Sequence, residues 1–478
     1  MLLGAGLRLH DLGAPSLWMD EGFTWMVASG PLSELPQRVT VFDKHPPLHY
    51  AVARAALLAG GHSEFWLRLP SALAGVLTIP VVFLLARQLG SSGPAAAWLM
   101  AVGAMHVLFT RDGRGYGLAT LLVALTFWLW VRLLHRPRAL EVGGWFLAGV
   151  AAFYTHYLAL VVLAWQWLLL VGTRPRQERA RWLGIPALAF LAFLPWLPTM
   201  LRQAATPSPG HPPPSWSALL EVLYSQSVGF TLNFSPWRLP GLPSGIQDYA
   251  AWYAVVLLGF LALACSWGAG PLARRVLGVF AGTVVSLMLV SRWTGAGLYE
   301  TKYTVLVSPA FWVLVACGAA QFGRRFGTSA GVALLGFFML GNLASSLNAV
   351  LLEEWHRQDL RGAAGDLARH ARPGDRLLVV SGWALPALEF YARQLPPMRI
   401  HPMGPREVAG FRPEFQAGER VWLLRASTSL FDPRDRVFTR LRQTCPPPVH
   451  SWTAWRRNPD LLVDLKCFEA LGPSQPGD

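Results

Sequence analysis

The stretch Leu67–Leu89, LRLPSALAGVLTIPVVFLLARQL, decides the class of fold. Its only charged residues, Arg68 and Arg87, stand near its two ends, and the residues between them are almost all apolar. A helix needs about 20 such residues to cross a hydrocarbon core of ~30 Å. We therefore predict a membrane-spanning helix over this stretch.

Further apolar runs of similar character follow along the chain. They are Pro94–Phe109, Tyr116–Leu134, Gly143–Tyr154, Tyr157–Val171, Trp182–Leu201, Tyr249–Trp267, Val276–Val290, Tyr303–Gln321 and Thr328–Leu351. The 478 residues are 53% hydrophobic and 14% charged, which is too apolar for a soluble domain of this length. The sequence predicts an all-α polytopic membrane protein of about ten spans. Met1–Leu9 resembles the last turns of a membrane helix whose beginning is missing from this sequence.

The fourth and fifth of these runs are short and adjacent. One continuous helix would bury the polar pair Thr155–His156 in its middle, so we predict a hairpin whose tip holds His156.

Arginine supplies nearly all of the positive charge, because lysine occurs only at Lys44, Lys302 and Lys466 and the net charge is +14. The arginines cluster on one side of the alternating spans, at Arg87, Arg132, Arg136, Arg138, Arg174, Arg176, Arg179, Arg181, Arg274, Arg275, Arg324 and Arg325. Such clusters mark the cytoplasmic side of a membrane protein. We therefore interpret the basic charge as a topology signal and predict no nucleic-acid partner. The protein is expected in the cytoplasmic membrane, with its unusual polar loops and its C-terminal tail outside.

After residue 351 the apolar runs end, and we predict two domains: residues 1–351 form a transmembrane domain with an outer catalytic loop at 16–66, and residues 352–478 form an extracytoplasmic domain. The tail carries helical patterns at Asp359–His370 and Ala384–Arg393 and strand patterns at Arg376–Ser381 and Arg420–Leu424. A small α/β domain fits these elements. The prolines of Thr206–Pro214 predict an extended loop.

Four cysteines occur in the chain. Cys265 and Cys317 lie inside apolar runs and are expected to pack there. Cys445 and Cys467 lie in the tail and form a disulfide if the tail faces an oxidising compartment, or otherwise remain thiols.

The stretch Ser16–Gly22, SLWMDEG, places two carboxylates beside an aromatic residue. Trp18 belongs at the headgroup level, so Asp20 and Glu21 are expected at the water-facing end of a helix, within reach of a lipid headgroup. A carboxylate there is a candidate general base that takes a proton from an acceptor hydroxyl or amine. The alternative is a solvated helix end or an N-cap.

The stretch Asp43–Leu48, DKHPPL, adds a second acidic side chain and a histidine. The fixed φ values of Pro46–Pro47 hold the side chains of Asp43 and His45 in place. His45 is a candidate substrate contact or orienting partner, or a plain capping residue. A divalent metal bound through Asp20, Asp43 and His45 stays open, although their spacing matches no compact ligand motif. The chain has no phosphate-binding glycine loop, and we predict no cofactor.

The stretch Arg111–Tyr116, RDGRGY, places arginines between spans on the side where positive charge is usually avoided. Guanidinium groups suit phosphate, so Arg111, Asp112, Arg114 and Tyr116 are candidate substrate contacts. The alternative is an arginine that snorkels to the interface.

On the same predicted side, Lys302 is a second cation for an anionic headgroup or an interfacial anchor. His156 is a substrate contact or a hydrogen-bonded histidine of the bundle.

The order of these motifs resembles a known family. Arg8–Leu9 leads into SLWMDE, followed by DKHPPLHY at 43–50, SEFWLRLPS at 63–71 and TRDGRGY at 110–116. Together they resemble the GT-C membrane glycosyltransferases of the family 39 type, which include protein O-mannosyltransferases, aminoarabinose transferases of lipid A and enzymes that decorate lipopolysaccharide cores. The resemblance covers Leu7 to about Leu351.

The resemblance implies transfer of one sugar from a polyprenyl-phosphate donor to a lipid, polysaccharide or protein acceptor at the outer face of the cytoplasmic membrane, usually with inversion at the anomeric carbon. Asp20 matches the family's catalytic carboxylate and Glu21 its neighbour, while Arg114 and Lys302 match residues that hold the donor phosphate. Arg111 and Asp112 depart from the family pattern, which often has glutamine and glutamate there.

Two other interpretations of the same residues remain. A lipid-headgroup transporter or flippase would use the outer carboxylates and arginines as an entry site. Such a protein needs polar residues along a path through the membrane, and the spans are poor in charge below their outer ends. An inactive homologue that anchors its tail domain is the third interpretation.

Overall fold

A computed structural model describes residues 1–205, 214–232, 246–294, 299–456 and 461–470. These residues form two compact units, each described by itself. The first unit contains Met1–Leu12 and the described residues between 30 and 351. The second contains Gly13–Ser29 and the described residues from 352 onward. Residues 206–213 of the predicted proline-rich loop lie outside the described residues.

The described helices, in chain order, are α1 (Leu2–Leu9), α2 (Met19–Ala28), α3 (Leu35–Phe42), α4 (Leu48–Gly60), α5 (Glu64–Gln88), α6 (Gly93–Val102), α7 (Ala104–Thr110), α8 (Tyr116–His135), α9 (Ala139–Thr155), α10 (Ala159–Gly172), α11 (Arg176–Phe193), α12 (Leu197–Ala205), α13 (Ser217–Val228), α14 (Ile246–Ser266), α15 (Pro271–Thr294), α16 (Ser308–Phe326), α17 (Thr328–Leu351), α18 (Leu360–His370), α19 (Leu385–Tyr391), α20 (Pro405–Gly410), α21 (Thr428–Phe431) and α22 (Arg436–Thr444). The strands are β1 (Arg376–Val380), β2 (Arg399–Met403), β3 (Arg420–Ala426), β4 (His450–Ala454) and β5 (Val463–Glu469).

The first unit is a bundle of apolar helices. Among the described residues, seven helices are long and apolar enough to cross a membrane, and the bent pair α6 and α7 makes an eighth if it forms one span. The shorter apolar helices α9 and α10 complete the predicted set. Each apolar run picked out in the sequence lies on one or two of these helices. The chain is therefore a mostly helical, multi-pass membrane protein, as predicted.

The run Pro94–Phe109 is broken, whereas the sequence predicted one continuous helix. Helices α6 and α7 meet at Gly103 with a bend of 55°. The side-chain oxygen of Asn342 accepts a hydrogen bond from the backbone N–H of Ala104 at 2.8 Å, which satisfies a donor that the break removes from the helical ladder. A Cβ at position 103 would lie 2.7 Å from Nε1 of Trp312, so the tight packing at the bend favours glycine there.

The predicted hairpin is confirmed. Helix α9 ends at Thr155, His156 has extended backbone angles of φ −153° and ψ 121°, and α10 begins at Ala159. The break therefore keeps His156 out of both helices.

Small residues let the spans approach closely. A Cβ added at Gly117 of α8 would lie 2.4 Å from the backbone oxygen of Ser71 in α5, and one at Gly318 of α16 would lie 2.0 Å from the backbone oxygen of Ala262 in α14. Close backbone approach of this kind supplies packing contacts between membrane helices, where the hydrophobic effect gives little preference for protein over lipid.

Basic side chains collect at one end of the first unit. Nη2 of Arg132 lies 2.8 Å from Oε1 of Glu141, and Arg174 donates to the backbone oxygen of Leu133 at 2.5 Å. A cavity of about 390 Å³ at this end is lined by Gln88, Arg132, His135, Arg136, Arg138 and Glu141. The other end of α8, at Tyr116, lies about 30 Å away along the helix axis.

The second unit contains a five-stranded sheet in the order β2-β1-β3-β5-β4. Strands β2, β1 and β3 are parallel, whereas β5 is antiparallel to β3 and to β4. The predicted helices and the predicted strands β1 and β3 are confirmed within a few residues.

Three strands were missed. Strands β2 and β4 are half-exposed edge strands with little apolar content, which weakens their signal. The first five residues of strand β5 in VDLKCFE alternate between apolar and charged side chains. This period of two is typical of a strand, so β5 could have been predicted from the sequence.

The sequence left two alternatives open for Cys445 and Cys467, a disulfide or two thiols, and the structure has thiols. All four cysteines are free thiols. Cys445 packs in an apolar cluster with Phe468, Val421 and Leu423 on one face of the sheet. Cys467 precedes Phe468 on β5 and so points to the opposite face. Burial raises the pKa of the Cys467 thiol to about 11.

Candidate active site

A buried ion pair lies at the centre of the polar residues of the first unit. Nη1 of Arg114 donates to Oδ2 of Asp43, and Nη2 donates to Oδ1 at 3.2 Å. The two side chains are 5% and 8% exposed. Burial by itself raises the pKa of the Asp43 carboxyl, but the nearby charges of Arg114 and His45 outweigh burial and hold that pKa well below its usual range. Asp43 therefore carries a negative charge that balances the guanidinium.

Aromatic rings and histidines enclose this pair. Nδ1 of His45 lies 3.0 Å from Oδ1 of Asp43 and 3.0 Å from Nη2 of Arg114. The ring of His156 stands with its centroid 5.1 Å from that of His45, 5.8 Å from Tyr116 and 5.4 Å from Tyr303. We call the six residues of this group the Asp43 cluster; they are Asp43, His45, Arg114, Tyr116, His156 and Tyr303.

His156 presents a hydrogen-bond donor to the cluster. Its Nδ1 accepts from the backbone N–H of Leu158 at 3.3 Å, so the ring proton of the neutral form belongs on Nε2. Burial lowers the pKa of His156 well below its usual range, and the positive charges of His45, Arg114 and Lys302 lower it further. Nε2 is buried and has no hydrogen-bond partner among the described residues. The ring is therefore neutral at pH 7 with its N–H directed into the site.

Lys302 lies next to this histidine on the segment that follows α15. Its Nζ is 2.9 Å from Oε2 of Glu300 and 5.4 Å from the ring centroid of Tyr303. The hydroxyl of Tyr303 donates to Oε1 of Glu300 at 3.4 Å. Lys302 is 23% exposed, so its charge can reach an arriving ligand.

A chain of hydrogen bonds between distant residues fixes the loops of the cluster. Nε2 of Gln203 on α12 donates to the backbone oxygens of Asp43 and His45 at 3.4 and 3.3 Å. The hydroxyl of Tyr157 donates to Gln203 at 2.6 Å, and Trp196 donates to that hydroxyl at 2.9 Å.

On the other side of the cluster, Nε2 of His49 lies 3.1 Å from the backbone oxygen of Gly113, beside Arg114. Sequence reasoning gave no role to His49, Tyr157 and Gln203, because each acts on a loop distant in sequence.

Arg111 has a different environment from Arg114. Its Nη1 donates to the backbone oxygens of Leu7, Arg8 and His10 at 3.1, 3.3 and 2.8 Å. These oxygens belong to the C-terminal turn of α1, which lacks helical partners for its last carbonyl groups. Burial lowers the pKa of Arg111 to about 10 and the charge of Arg68 lowers it further, whereas nearby Asp112, which is 5% exposed, acts in the opposite direction.

Asp20 and Glu21 lie in the second unit. They occupy the first turn of α2, and Oε2 of Glu21 accepts from the backbone N–H of Trp18 at 3.4 Å. Asp20 is half-buried, whereas Glu21 is fully buried. Glu21 thus closes the N-terminus of the helix that carries Asp20.

The segment before α2 is fastened to residues far along the chain. The backbone N–H of Leu17 donates to the hydroxyl of Tyr391 at 2.8 Å, and that of Met19 donates to Gln358 at 3.4 Å. A Cβ at Gly22 would lie 2.4 Å from the backbone nitrogen of Ala387, so α2 and α19 pack closely. The described C-terminal residues therefore fix the backbone around Asp20, a dependence that no local pattern reveals.

The divalent metal considered for Asp20, Asp43 and His45 finds no support in this geometry. Both carboxylate oxygens of Asp43 accept from Arg114. In the described parts of the chain, a group of side chains with metal-ligand spacing occurs elsewhere, in the second unit.

Comparison with known proteins agrees with this architecture. Residues 44–198 match the family model described as dolichyl-phosphate-mannose-protein mannosyltransferase. The matched segment contains His45, Arg114, Tyr116 and His156. No sequence among curated proteins gives a significant match.

Solved structures resemble this one over nearly its whole length. The crystal structure of ArnT from Cupriavidus metallidurans in the apo state has a TM-score of 0.58 at 13% identity, covering 98% of this chain and 97% of that one. The structure of the same protein bound to undecaprenyl phosphate has a TM-score of 0.53 at 14% identity, with coverages of 99% and 98%.

A third structure, the Archaeoglobus fulgidus oligosaccharyltransferase tethered to an acceptor peptide, has a TM-score of 0.50 at 9% identity and covers 90% of this chain and 68% of that one. At these identities the likeness establishes the fold alone. The chain therefore has the GT-C fold of these structures, and its residues 44–198 resemble a family of membrane glycosyltransferases.

Proposed function

We propose that this enzyme transfers a sugar from a polyprenyl-phosphate donor to a lipid, polysaccharide or protein acceptor at the outer face of the cytoplasmic membrane. Two comparisons support a lipid-linked donor: the family is described by a dolichyl-phosphate sugar, and ArnT has been solved with undecaprenyl phosphate. The basic end of the first unit supports the sidedness, since positive charge marks the cytoplasmic face. The Asp43 cluster lies at the opposite end of α8.

The observation that carries the proposal is the unpartnered Nε2–H of His156 beside Arg114 and Lys302. A phosphate oxygen is an acceptor that suits this donor, and the two cations supply the charge that a phosphodiester requires. Because Asp43 and Glu300 balance the two cations, the site stays stable without a ligand. The donors are fixed before the reaction, which is how an enzyme stabilises charge that grows on a leaving group.

The proposed reaction is a single displacement. The acceptor oxygen or nitrogen attacks C1 of the sugar and loses its proton to a general base, a role that the motif resemblance assigns to Asp20, while the bond between C1 and the phosphate oxygen breaks. The electron pair of that bond remains on the polyprenyl phosphate, where Arg114, Lys302 and His156 stabilise it. Glu21 keeps the first turn of α2 closed and so positions its neighbour Asp20.

Undecaprenyl phosphate itself is the probe that tests the donor site, because it needs no knowledge of the sugar. We expect the purified protein in nanodiscs to bind it, and His156→Leu to weaken binding by roughly 10-fold or more, since a hydrogen bond to a charged group is worth about 1.5–3 kcal/mol. Lys44→Ala changes an exposed lysine of the loop that follows α3 and should leave binding unchanged. Equal affinities of wild type and His156→Leu would refute the phosphate site.

Turnover tests the base. Polyprenyl-phosphate sugars with a radiolabelled sugar are supplied with cell-envelope acceptors, and free polyprenyl phosphate is measured. Asp20→Asn should lower the rate by a factor on the order of 10² to 10⁴ without weakening the binding of undecaprenyl phosphate. Normal turnover by Asp20→Asn would exclude this residue as the base. A flippase would move the donor across the bilayer without releasing lipid phosphate.

A further inference from the structure

A group of three side chains in the second unit lies outside the residues used so far. Asp366 and His370 stand one turn apart on α18, and His450 begins the edge strand β4. One potential ligand atom from each residue, a carboxylate oxygen or a ring nitrogen, lies within 4.8 Å of those of the other two. Two separate elements thus direct potential metal ligands at one point.

The distances suit a metal centre. Oδ1 of Asp366 lies 3.2 Å from Nδ1 of His370, and Oδ2 lies 2.8 Å from Nε2 of His450. Zinc binds nitrogen and oxygen ligands at about 2.0–2.2 Å in a tetrahedron, which places neighbouring ligand atoms roughly 3.3 Å apart. The observed distances are close to this value, so a cation can be bound with small movements of the rings.

The chemistry of the group also suits a cation. The side chain of Asp366 is 3% exposed, and the ring centroids of His370 and His450 are 4.2 Å apart at an interplanar angle of 30°. A bound dication uses the two imidazole rings and the buried carboxylate together, a combination of ligands that first-row transition metals prefer.

We propose that Asp366, His370 and His450 bind a divalent transition metal ion of the zinc class, with a water molecule in the fourth position. The site joins α18 to the edge strand β4. Because β4 is paired on one side only, a metal bridge would stabilise an edge strand of the sheet.

Two arginines lie near the three side chains, and one of them competes with a metal ion for the carboxylate of Asp366. Nη2 of Arg369 lies 3.5 Å from Oδ1 of Asp366, and Arg420 donates to the backbone oxygen of His370 at 3.0 Å. The Arg369 side chain is 64% exposed and can turn into solvent when a cation binds. Removing its charge should therefore strengthen metal binding, whereas removing a ligand should abolish it.

The test uses the full-length protein, stripped of metal with a chelator and titrated with Zn²⁺ alone. We expect one zinc ion per chain and a melting temperature that rises with zinc concentration. His370→Ala changes a 43% exposed side chain and should preserve the fold while weakening zinc binding roughly 100-fold or more, because loss of an outer-shell partner alone costs 10- to 100-fold. His450→Ala should do the same, and Arg369→Ala should bind zinc more tightly than wild type.

His401→Ala is the matched control, because His401 is an exposed histidine on β2, at the other edge of the sheet. Co²⁺ should give the visible absorption bands of a four-coordinate site in wild type and lose them in His370→Ala. Zinc binding that is unchanged in both His370→Ala and His450→Ala, or a wild-type protein that binds no zinc, would overturn the proposal.

Discussion

Arg114 donates to both carboxylate oxygens of Asp43 across 71 positions of sequence, and the two side chains are almost completely buried. The attraction between the two charges compensates each of them for the hydration that it loses on burial. An unpaired buried ion has no such compensation. The pair therefore fixes the loop that follows α7 against the loop that follows α3. The candidate phosphate site depends on this contact.

Breaking the pair should be costly. Asp43→Asn leaves the guanidinium of Arg114 buried without its counter-charge, so we expect the free energy of unfolding to fall by about 3–5 kcal/mol. Thermal unfolding in detergent measures the loss. Glu34→Gln is the control, because Glu34 pairs with Arg38 in an exposed setting, where an ion pair is worth about 1 kcal/mol or less. Similar losses in the two variants would contradict the assigned burial.

Acid should destabilise the first unit in two stages. Burial lowers the pKa of His49 to about 4, so the unfolded chain binds a proton at higher pH than the folded one. The stability due to neutral His49 is complete above the ordinary histidine pKa of about 6.5 and declines as the pH falls toward 4. The lowered pKa of His156 acts in the same direction. The stability due to charged Asp43 is lost only below pH 4, since its folded pKa is lower still.

Melting temperatures recorded between pH 7.5 and pH 4.5 measure the first stage. His49→Gln keeps a donor for the backbone oxygen of Gly113 but removes the titration, so its melting temperature should vary less with pH than that of wild type. The exposed histidine of the same region, changed in His62→Gln, should leave the pH dependence as it is. A wild-type slope in His49→Gln would show that another group is responsible.

We expect the two arginines of the RDGRGY motif to have different functions, Arg111 in stability and Arg114 in donor binding. Arg111→Lys removes the planar group that spans three backbone oxygens of α1, so we expect a melting temperature lower by several degrees, with donor binding changed less than 10-fold. Arg114→Lys should weaken binding of undecaprenyl phosphate more than 10-fold. Binding isotherms and thermal melts on both variants distinguish these outcomes. Stronger loss of binding in Arg111→Lys would reverse the assignment.

The anchor of Leu17 should affect turnover more than binding. Tyr391→Phe removes the hydroxyl that accepts from the backbone N–H of Leu17, next to the helix that carries Asp20. We expect kcat to fall several-fold while the affinity for undecaprenyl phosphate stays at the wild-type value. Tyr253→Phe removes a hydroxyl from an exposed tyrosine of α14 and should change neither quantity. A loss of affinity without a loss of kcat in Tyr391→Phe would argue against the anchoring role.

The sequence by itself determined the bundle. Runs such as Leu67–Leu89 are long and apolar enough that a helix is the one structure that satisfies their backbone in lipid, so their existence and order could be predicted locally. The break at His156 followed from the cost of burying a polar pair. The motifs that contain Asp20, Asp43 and Arg114 were visible as well, because charge beside apolar spans is rare.

Only the tertiary structure decided what those charged residues contact. Arg111 and Arg114 lie three residues apart in one loop. Arg111 nevertheless binds the end of α1 and Arg114 binds Asp43, because the loop directs their side chains to different partners. Likewise Gly13–Ser29 belongs to the second unit through bonds to Gln358 and Tyr391. The hydrophobic pattern of the sequence predicts which segments are buried in the membrane. Pairing between distant polar groups depends on directions and distances that exist only after the chain has folded.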